Sequence, residues 1–465
     1  MDSAKPVILV RYHDTAGENT RLPNSLNKVQ GVLPPLSLAM LAASLEKANI
    51  PVKIIDCPGS NIGKIEFEKI IDELKPDIVG IGPMMTPAIE GVFEAAAICK
   101  KAGAIVIVGG PHLSIYPKET MANKNIDFAI IGEGDFSIVK LATAINNNSD
   151  VGQIPGLVWR KDSEILENPA AIVENLDELP MPAYHLLPMK NYNSIIGLHP
   201  VSTMMVGRGC PYRCGFCYKT HSDKLIRHKS VKYVIEEMKH LIEHYGVKEI
   251  MFYDDTLTLK KDYIFNLCEE IKAQKIKIHW EAPTRVNHLD EELIKKLAEA
   301  GCVRLRMGVE SGNEKIRQIM NKGVSAEQII SAFKLCKKYG IETFAYFIIG
   351  YVGETEETIN ETINFARKLD PDFAMFTIAT PLPNTDLFER AVQAQLIDPN
   401  YWKNYTLGGS KERIKFLVKD AEKWTKKAYM KFYFRPGFII KKLLKMRDLD
   451  TAKKYFRAFR GLTNL

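Results

Sequence analysis

The stretch GRGCPYRCGFCYK, residues 207–219, decides how the rest of the chain is interpreted. It places Cys210, Cys214 and Cys217 within eight residues, in the spacing C-x3-C-x2-C. Three thiolates on one short loop suit an iron–sulfur cluster that keeps one iron without a protein ligand. A structural zinc site needs a fourth Cys or His, and His221 follows Cys217 closely. A zinc site of this composition and unliganded thiols therefore stay open as alternatives.

The overall composition is that of a globular protein with more than one domain. The chain has 465 residues, of which 46% are hydrophobic and 26% charged, in the ordinary range for such proteins. No apolar run reaches the roughly 18 residues of a membrane-spanning helix, and the N-terminus lacks a secretory signal. We therefore expect a cytoplasmic protein with reduced thiols, which favours metal binding over a disulfide.

Residues 1–145 alternate strand and helix patterns. PVILVRY (6–12), DIVGIG (77–82) and AIVIVGG (104–110) are strand-like, and helical apolar spacing separates them. Continuous Val and Ile runs between helices predict a parallel sheet covered on both faces, which is an α/β, doubly wound, Rossmann-like domain. Such a domain binds its ligands at the carboxyl ends of its strands.

A second α/β unit is predicted for residues 201–395, after a linker with a hairpin at 146–200. Six units are too few to close an eight-unit barrel, so we expect a partial (β/α)6 barrel of the TIM type. A helical, basic region is predicted for 396–465. The strands of the barrel are expected near 201–206, 248–253, 277–283, 303–309, 342–349 and 374–379.

The cysteine loop, with an aromatic residue (Phe216) before its last cysteine and a preceding strand that opens a partial barrel, resembles the radical S-adenosylmethionine (radical SAM) superfamily. The resemblance implies a 4Fe-4S cluster on Cys210, Cys214 and Cys217, with SAM on the fourth iron. Reductive cleavage of SAM then yields a 5′-deoxyadenosyl radical. The electron is expected from an external reductant of the flavodoxin or ferredoxin type.

The same resemblance assigns SAM contacts to the strand ends. FYDDTLT (252–258) ends the second strand, where either Asp254 or Asp255 is expected to meet the SAM amino group. Glu310 and Ser311 end the fourth strand and are expected to meet ribose or carboxylate groups. The other implied contacts are Phe216, Arg285, Ile349 and Gly350.

Gly-rich loops follow strands of the first domain, at 82–91, 109–114 and 132–135. Glycine lets the backbone approach a bulky ligand. The pattern resembles the cobalamin-binding domain of a radical SAM subgroup of class B methyltransferases, which generally lacks a histidine ligand below the cobalt. Another nucleotide-like ligand, or none, stays open. The implied cobalamin contacts are Met84, Met85, Thr86, Gly109, Gly110, His112, Gly132, Glu133 and Gly134.

The combined resemblance implies a cobalamin-dependent radical SAM methyltransferase acting on an unactivated carbon or on phosphorus. In that subgroup the radical removes a hydrogen atom from the substrate, which then takes a methyl group from methylcobalamin. No catalytic acid or base is predicted, because abstraction of a hydrogen atom does not require one. A cyclase or rearrangement enzyme without methyl transfer, and a non-enzymatic cobalamin or redox sensor, stay open.

Basic residues concentrate at the end of the chain. Residues 411–465 carry 17 Lys and Arg against 5 Asp and Glu, whereas the whole chain has a formal charge of only +7. Aromatic residues interleave with these cations, which suits a packing helix with a basic outer face or peripheral contact with an anionic membrane surface. We expect a small-molecule or lipid-like substrate and no nucleic-acid partner.

Overall fold

The computed structural model describes residues 5–13, 31–218, 225–409, 417–444, 456 and 460–462. Two β-sheets organise these residues. The strands of the first sheet are β1 (Val7–Arg11), β2 (Val52–Asp56), β3 (Ile78–Ile81), β4 (Ile105–Gly109), β5 (Phe128–Ile130), β6 (Leu157–Lys161) and β7 (Glu164–Glu167). The helices of this domain are α1 (Leu36–Lys47), α2 (Cys57–Ser60), α3 (Lys64–Leu74), α4 (Ile89–Lys101), α5 (Pro117–Met121) and α6 (Ser137–Asn146).

The first sheet has the strand order β2-β1-β3-β4-β5-β6-β7, with β1 to β5 parallel. Alternate residues of its strands enter two apolar cores, so Ile8 packs on one face with α3 and α4 while Val7 packs on the other with α1 and α6. Both faces are covered because the strands are apolar on both sides. The predicted doubly wound fold is confirmed.

The hairpin that we expected in the linker belongs to the first sheet. Its strands β6 and β7 extend the sheet antiparallel to β5. Sequence patterns show that a hairpin forms but not which edge it joins, because pairing to β5 depends on tertiary contacts.

The second domain is a partial barrel. Its strands are β8 (Val201–Met204), β9 (Gly207–Arg208), β10 (Arg227–His228), β11 (Glu249–Phe252), β12 (His279–Thr284), β13 (Cys302–Glu310), β14 (Glu342–Ile349) and β15 (Phe373–Ile378). The parallel sheet has the order β15-β14-β13-β12-β11-β8, while β9 and β10 form a separate antiparallel pair. The predicted six-stranded partial barrel is confirmed. Its helices are α7 (Val231–Tyr245), α8 (Lys261–Ala273), α9 (Glu291–Glu299), α10 (Glu314–Ile319), α11 (Ala326–Lys338), α12 (Glu356–Leu369) and α13 (Asp386–Gln393).

The C-terminal region packs on both domains. Helix α14 (Tyr401–Thr406) packs on a core of the first sheet, whereas helices α15 (Ala421–Tyr433) and α16 (Pro436–Leu444) pack on the barrel. Helix α15 covers the edge strand β15, where Ala374 N–H donates to the hydroxyl of Tyr433 at 3.0 Å and Phe376 N–H donates to that of Tyr429 at 3.1 Å. The first part of the basic tail is therefore a packing element. No helix in the described ranges is long and apolar enough to cross a bilayer.

Candidate functional site

The three-cysteine loop lies at the carboxyl end of β8, between β9 and β10. The thiols of Cys210 and Cys214 are partly buried, and Cys217 is exposed. The loop is fixed from two sides, because Gly215 N–H donates to the carbonyl of Met320 at 2.8 Å and Leu387 N–H donates to the carbonyl of Gly215 at 2.8 Å. The residue after α10 and the first turn of α13 thus hold the loop.

The expected iron–sulfur cluster on these three thiols stays a prediction. Among the described residues, no three His, Cys, Asp or Glu side chains converge where they could hold one ion. A cubane cluster carries its thiolates on separate irons and does not need such convergence. His221, the alternative zinc ligand, lies outside the described residues.

Arg285, which follows β12, contacts the loop directly. Its guanidinium donates to the Sγ of Cys214 at 3.4 Å and to the carbonyl of Lys322, and it lies 3.7 Å from the centre of the Tyr212 ring. These contacts engage the buried guanidinium with the loop, and the expected contact between Arg285 and SAM stays a prediction.

The two aspartates that follow β11 differ in their surroundings. Asp254 is buried and accepts hydrogen bonds from the N–H groups of Gly207 at 2.7 Å and Val206 at 3.2 Å. Burial raises the pKa of Asp254 to about 7. Asp255 is exposed at the same strand end. Asp254 thus supports the backbone that leads into the cysteine loop, and Asp255 is the member of the pair that a ligand can reach.

Glu310 ends β13 in a left-handed conformation, with φ of 67°. It is buried and pairs with Lys322 at 2.8 Å. A Cβ at Gly308 would lie 2.1 Å from the Glu310 carboxylate, so a side chain at that position would displace the pair from this geometry. Ser311 is completely buried, and its hydroxyl is hydrogen-bonded to Thr362 at 3.0 Å. The hydroxyl thus joins the end of β13 to helix α12, and the expected contact between Ser311 and SAM stays a prediction.

The turn after β14 is held by a residue that sequence reasoning missed. Glu354 accepts hydrogen bonds from the N–H groups of Gly350 at 2.6 Å and Tyr351 at 3.0 Å, and its buried Oε1 has no hydrogen-bond partner among the residues that the structure describes. Burial raises its pKa to about 7. Ile349 is fully buried in the barrel core, which leaves only its backbone to face a ligand, and Phe216 packs half-buried beside this turn.

A cavity of about 570 Å³ opens at the carboxyl edge of the first sheet. Its size suits a nucleotide-like ligand. A Cβ added at Gly109 would meet no atom of the described residues within 4 Å, so the missing side chain leaves room for a ligand. Barrel residues Met205, Arg208 and Tyr253 close the other side. The predicted contacts on the lining are Gly109, Gly110, Gly132, Glu133 and Gly134.

Four predicted cobalamin contacts do not line this cavity. Met84 is fully buried in the core, and only Met85 is exposed. Thr86 is hydrogen-bonded to Nδ1 of His112 at 2.9 Å, and Nε2 of His112 lies 3.2 Å from the Thr406 hydroxyl. Burial lowers the pKa of His112 to about 4. The core and helix α14 engage Met84, Thr86 and His112, and the expected contacts of all four residues with cobalamin stay predictions.

Glu133 lines the cavity, but its carboxylate is already paired. It lies 2.7 Å from the guanidinium of Arg227 and 3.1 Å from that of Arg208. Although burial opposes ionisation, hydrogen bonds from Arg227 hold the pKa of Glu133 below its usual value. Asp135 pairs with Arg208 at 2.8 Å. Sequence reasoning missed this cluster, since its members are far apart in the chain.

Comparison with known proteins identifies the family of this chain. A model of the radical SAM superfamily matches residues 204–366, and a model of the B12 binding domain matches residues 25–142. An uncharacterized methyltransferase from Pyrococcus horikoshii is 37% identical over 94% of this chain and 95% of its own length. The chain belongs to the radical SAM superfamily.

This radical SAM protein carries a B12-binding domain in front of its barrel. It is 29% identical to the anaerobic magnesium-protoporphyrin IX monomethyl ester cyclase of Rubrivivax gelatinosus, over 78% of this chain and 67% of that protein. Its fold is similar to that of the radical SAM methyltransferase TsrM from Kitasatospora setae, with a TM-score of 0.73, 18% identity and 100% of both chains covered. The predicted family is confirmed, and the predicted cofactors agree with both family models.

Proposed function

We propose that this radical SAM protein is a cobalamin-dependent methyltransferase that acts on an unactivated carbon or phosphorus centre of a small molecule. The observation that carries this proposal is the shared wall between the two cofactor sites. Arg208 and Tyr253 belong to the barrel, yet both line the cavity of the B12-binding domain. A methyl donor in that cavity and a radical formed beside the cysteine loop would meet at this junction. The relatives described as methyltransferases support the same reaction.

The chain's own residues bind and orient the cofactors. We assign the cluster to the three loop cysteines and the SAM contacts to Asp255, the Glu310–Lys322 pair and the backbone of Gly350. When bound, the cluster and SAM supply a 5′-deoxyadenosyl radical, and cobalamin supplies the methyl group. Arg285 and Asp254 hold the loop in place, and the barrel walls exclude water from the reacting atoms.

Two partners belong to the proposal. A one-electron reductant of the flavodoxin or ferredoxin type would reduce the cluster, and the exposed position of Cys217 suits electron entry from outside. Contact between the tail and a membrane stays a prediction. Helix α16 exposes Ile440, Leu443 and Leu444, and residues 445–455 lie outside the described residues.

The reaction is tested anaerobically with the full chain, reconstituted with iron, sulfide and hydroxocobalamin and supplied with reductant, SAM and candidate substrates. Methyl transfer requires 5′-deoxyadenosine and S-adenosylhomocysteine to form in step with substrate loss. Formation of 5′-deoxyadenosine without S-adenosylhomocysteine would instead support a cyclase or rearrangement enzyme, the alternative that the Rubrivivax gelatinosus relative suggests.

A matched pair of cysteine variants controls this assay. Cys214→Ala should lose cluster absorbance and both products, because Cys214 is a proposed ligand. Cys336→Ala removes a buried free thiol of the barrel core and should retain the cluster. If the wild-type protein forms neither product with any substrate and Cys214→Ala keeps its biological role, a sensor function replaces the proposed enzyme.

A further inference from the structure

The first end of the cysteine loop is tied to the B12-binding domain by four charged side chains. Glu133 and Asp135 come from the loop after β5, while Arg208 and Arg227 come from the paired strands β9 and β10. We call these four residues the latch. Arg208 donates to Asp135 at 2.8 Å and 3.1 Å, and Arg227 donates to Glu133 at 2.7 Å and 2.8 Å. Each carboxylate thus receives a bidentate arginine.

The latch is a buried and balanced cluster. Its side chains are between 5% and 13% exposed, and two cations face two carboxylates. A buried pair contributes little net stability, but removing one partner leaves an unpaired buried charge, which is costly. Bidentate geometry also fixes orientation. Arg208 therefore has one favourable position, and Cys210 lies only two residues further along the chain.

The second end of the loop is tied to the same domain by Tyr218, which directly follows Cys217. Its hydroxyl donates a hydrogen bond to the carbonyl of Pro111. Its ring packs against the apolar core on one face of the first sheet. The N-terminal domain thus contacts the chain two residues before the first cysteine of the loop and immediately after the last.

The contacts at both ends of the loop involve residues of the cavity wall. Pro111, Glu133, Asp135 and Arg208 all line it. A molecule that fills the cavity therefore touches the residues that position the loop at both ends. Binding of either cofactor restricts the motion of these residues, so less conformational entropy is lost when the second cofactor binds. Such coupling between two binding free energies is reciprocal.

We propose that Arg208 and Tyr218 are positioning residues that couple cobalamin binding in the cavity to cluster binding on the loop. Each cofactor then tightens the binding of the other. The coupling rests on the proposed function, because it needs cobalamin in the cavity and a cluster on the three cysteines.

The test is equilibrium dialysis of hydroxocobalamin against the full chain, with the cluster reconstituted and with the iron removed. For the wild-type protein we expect the cluster to tighten cobalamin binding about fivefold or more. In Tyr218→Phe and in Asp135→Asn this ratio should fall towards one. A direct effect of Asp135 on cobalamin would shift both affinities equally and cancel in the ratio.

Tyr212→Phe is the matched control. Tyr212 lies in the same loop, but its hydroxyl is hydrogen-bonded to His288 of the barrel, not to the cavity wall. This variant should keep the wild-type ratio. As a second readout, hydroxocobalamin should slow the release of iron to a chelator in the wild-type protein and in Tyr212→Phe, and much less in Tyr218→Phe.

The outcomes separate the coupling from the proposed function. Cobalamin affinity that is equal with and without the cluster would overturn the coupling and leave the proposed function standing. An equal loss of coupling in Tyr212→Phe and Tyr218→Phe would also overturn it, since the contact with Pro111 would then have no special role. Absence of any cobalamin binding would overturn both.

Discussion

Single residues at the strand ends divide into those that hold the protein together and those that a ligand can reach. Asp254, Arg285 and Ser311 have their polar atoms engaged by the protein, whereas Asp255 is exposed. A motif identifies the strand end but not the direction of each side chain, because direction depends on which neighbours are packed there. We therefore expect substitutions of the buried, engaged side chains to change the stability of the protein first and its chemistry second.

Glu354 should make stability depend on pH. Burial raises its pKa from 4.5 to about 7, so between these values the unfolded chain releases the proton first and stability falls as pH rises. Glu354→Gln has no carboxyl group at this position, so its free energy of unfolding does not show this fall. Relative to wild type, it should gain on the order of 3 kcal/mol between pH 4 and pH 8, measured by urea unfolding across that range.

Glu299→Gln is the control for this titration. Glu299 forms an exposed pair with Lys272, and the hydrogen bond from Lys272 lowers its pKa. Its removal should therefore leave the pH dependence above pH 5 unchanged. If the free energies of unfolding of the wild-type protein and of Glu354→Gln change with pH in parallel, the Glu354 carboxyl has an ordinary pKa.

The absence of a side chain at Gly109 should leave the cavity open to a ligand. Gly109→Leu adds a side chain where a Cβ meets no atom of the described residues, so the fold should persist while the cavity is filled. We expect at least a tenfold loss of hydroxocobalamin affinity, about 1.4 kcal/mol or more, measured by dialysis. Gly63→Leu, at an exposed site with equally open surroundings, should bind normally. Equal binding by both variants would place the ligand elsewhere.

At the scale of elements, the open edge of the barrel explains the helix that follows it. A partial barrel leaves its last strand without a partner, and an unpaired edge exposes backbone donors and acceptors. Helix α15 covers β15 and supplies two tyrosine hydroxyls to the strand's backbone. Part of the basic tail thus completes the barrel, which its charge pattern alone did not distinguish from a membrane-binding segment.

Tyr433→Phe should weaken this edge. The Tyr433 hydroxyl accepts from Ala374 N–H at 3.0 Å and donates to the Ala374 carbonyl at 2.7 Å, so its loss orphans two backbone groups. We expect a loss of about 1–3 kcal/mol of unfolding free energy and faster hydrogen exchange in β15. Tyr339→Phe removes an exposed hydroxyl bonded to Glu291 and should cost much less. Similar losses in both would argue against the edge role of α15.

At the scale of the whole molecule, the two domains form one site. The cavity is lined on one side by the glycine-rich loops of the first sheet and on the other side by Met205, Arg208 and Tyr253 of the barrel. A ligand there should therefore stabilise both domains, because binding restricts the opening of every segment that it contacts.

Hydrogen exchange with mass spectrometry tests this joint protection. Hydroxocobalamin should slow exchange in peptides around 109–111 and 132–135 and, at the same ligand concentration, in peptides around 205–208 and Tyr253. Peptides from the outer helix α8 should not change. Protection confined to the first domain would mean that the ligand does not reach the barrel wall.

The sequence by itself determined the family and the two sheets, and it predicts the cluster ligands. The C-x3-C-x2-C spacing is local, and the apolar runs of β1, β3 and β4 are buried on both faces whatever they pack against. Local patterns of this kind survive in any arrangement of the neighbours, which is why they could be predicted.

Only the tertiary structure decided the roles of individual polar residues. Glu133 and Arg227 are far apart in the chain yet share one buried ion pair, and His112 meets Thr406 across the domain boundary. The same folding turned Asp254 inwards and left Asp255 exposed. A buried polar group must find a partner wherever the fold supplies one, and that partner is set by packing between distant segments, which no local pattern encodes.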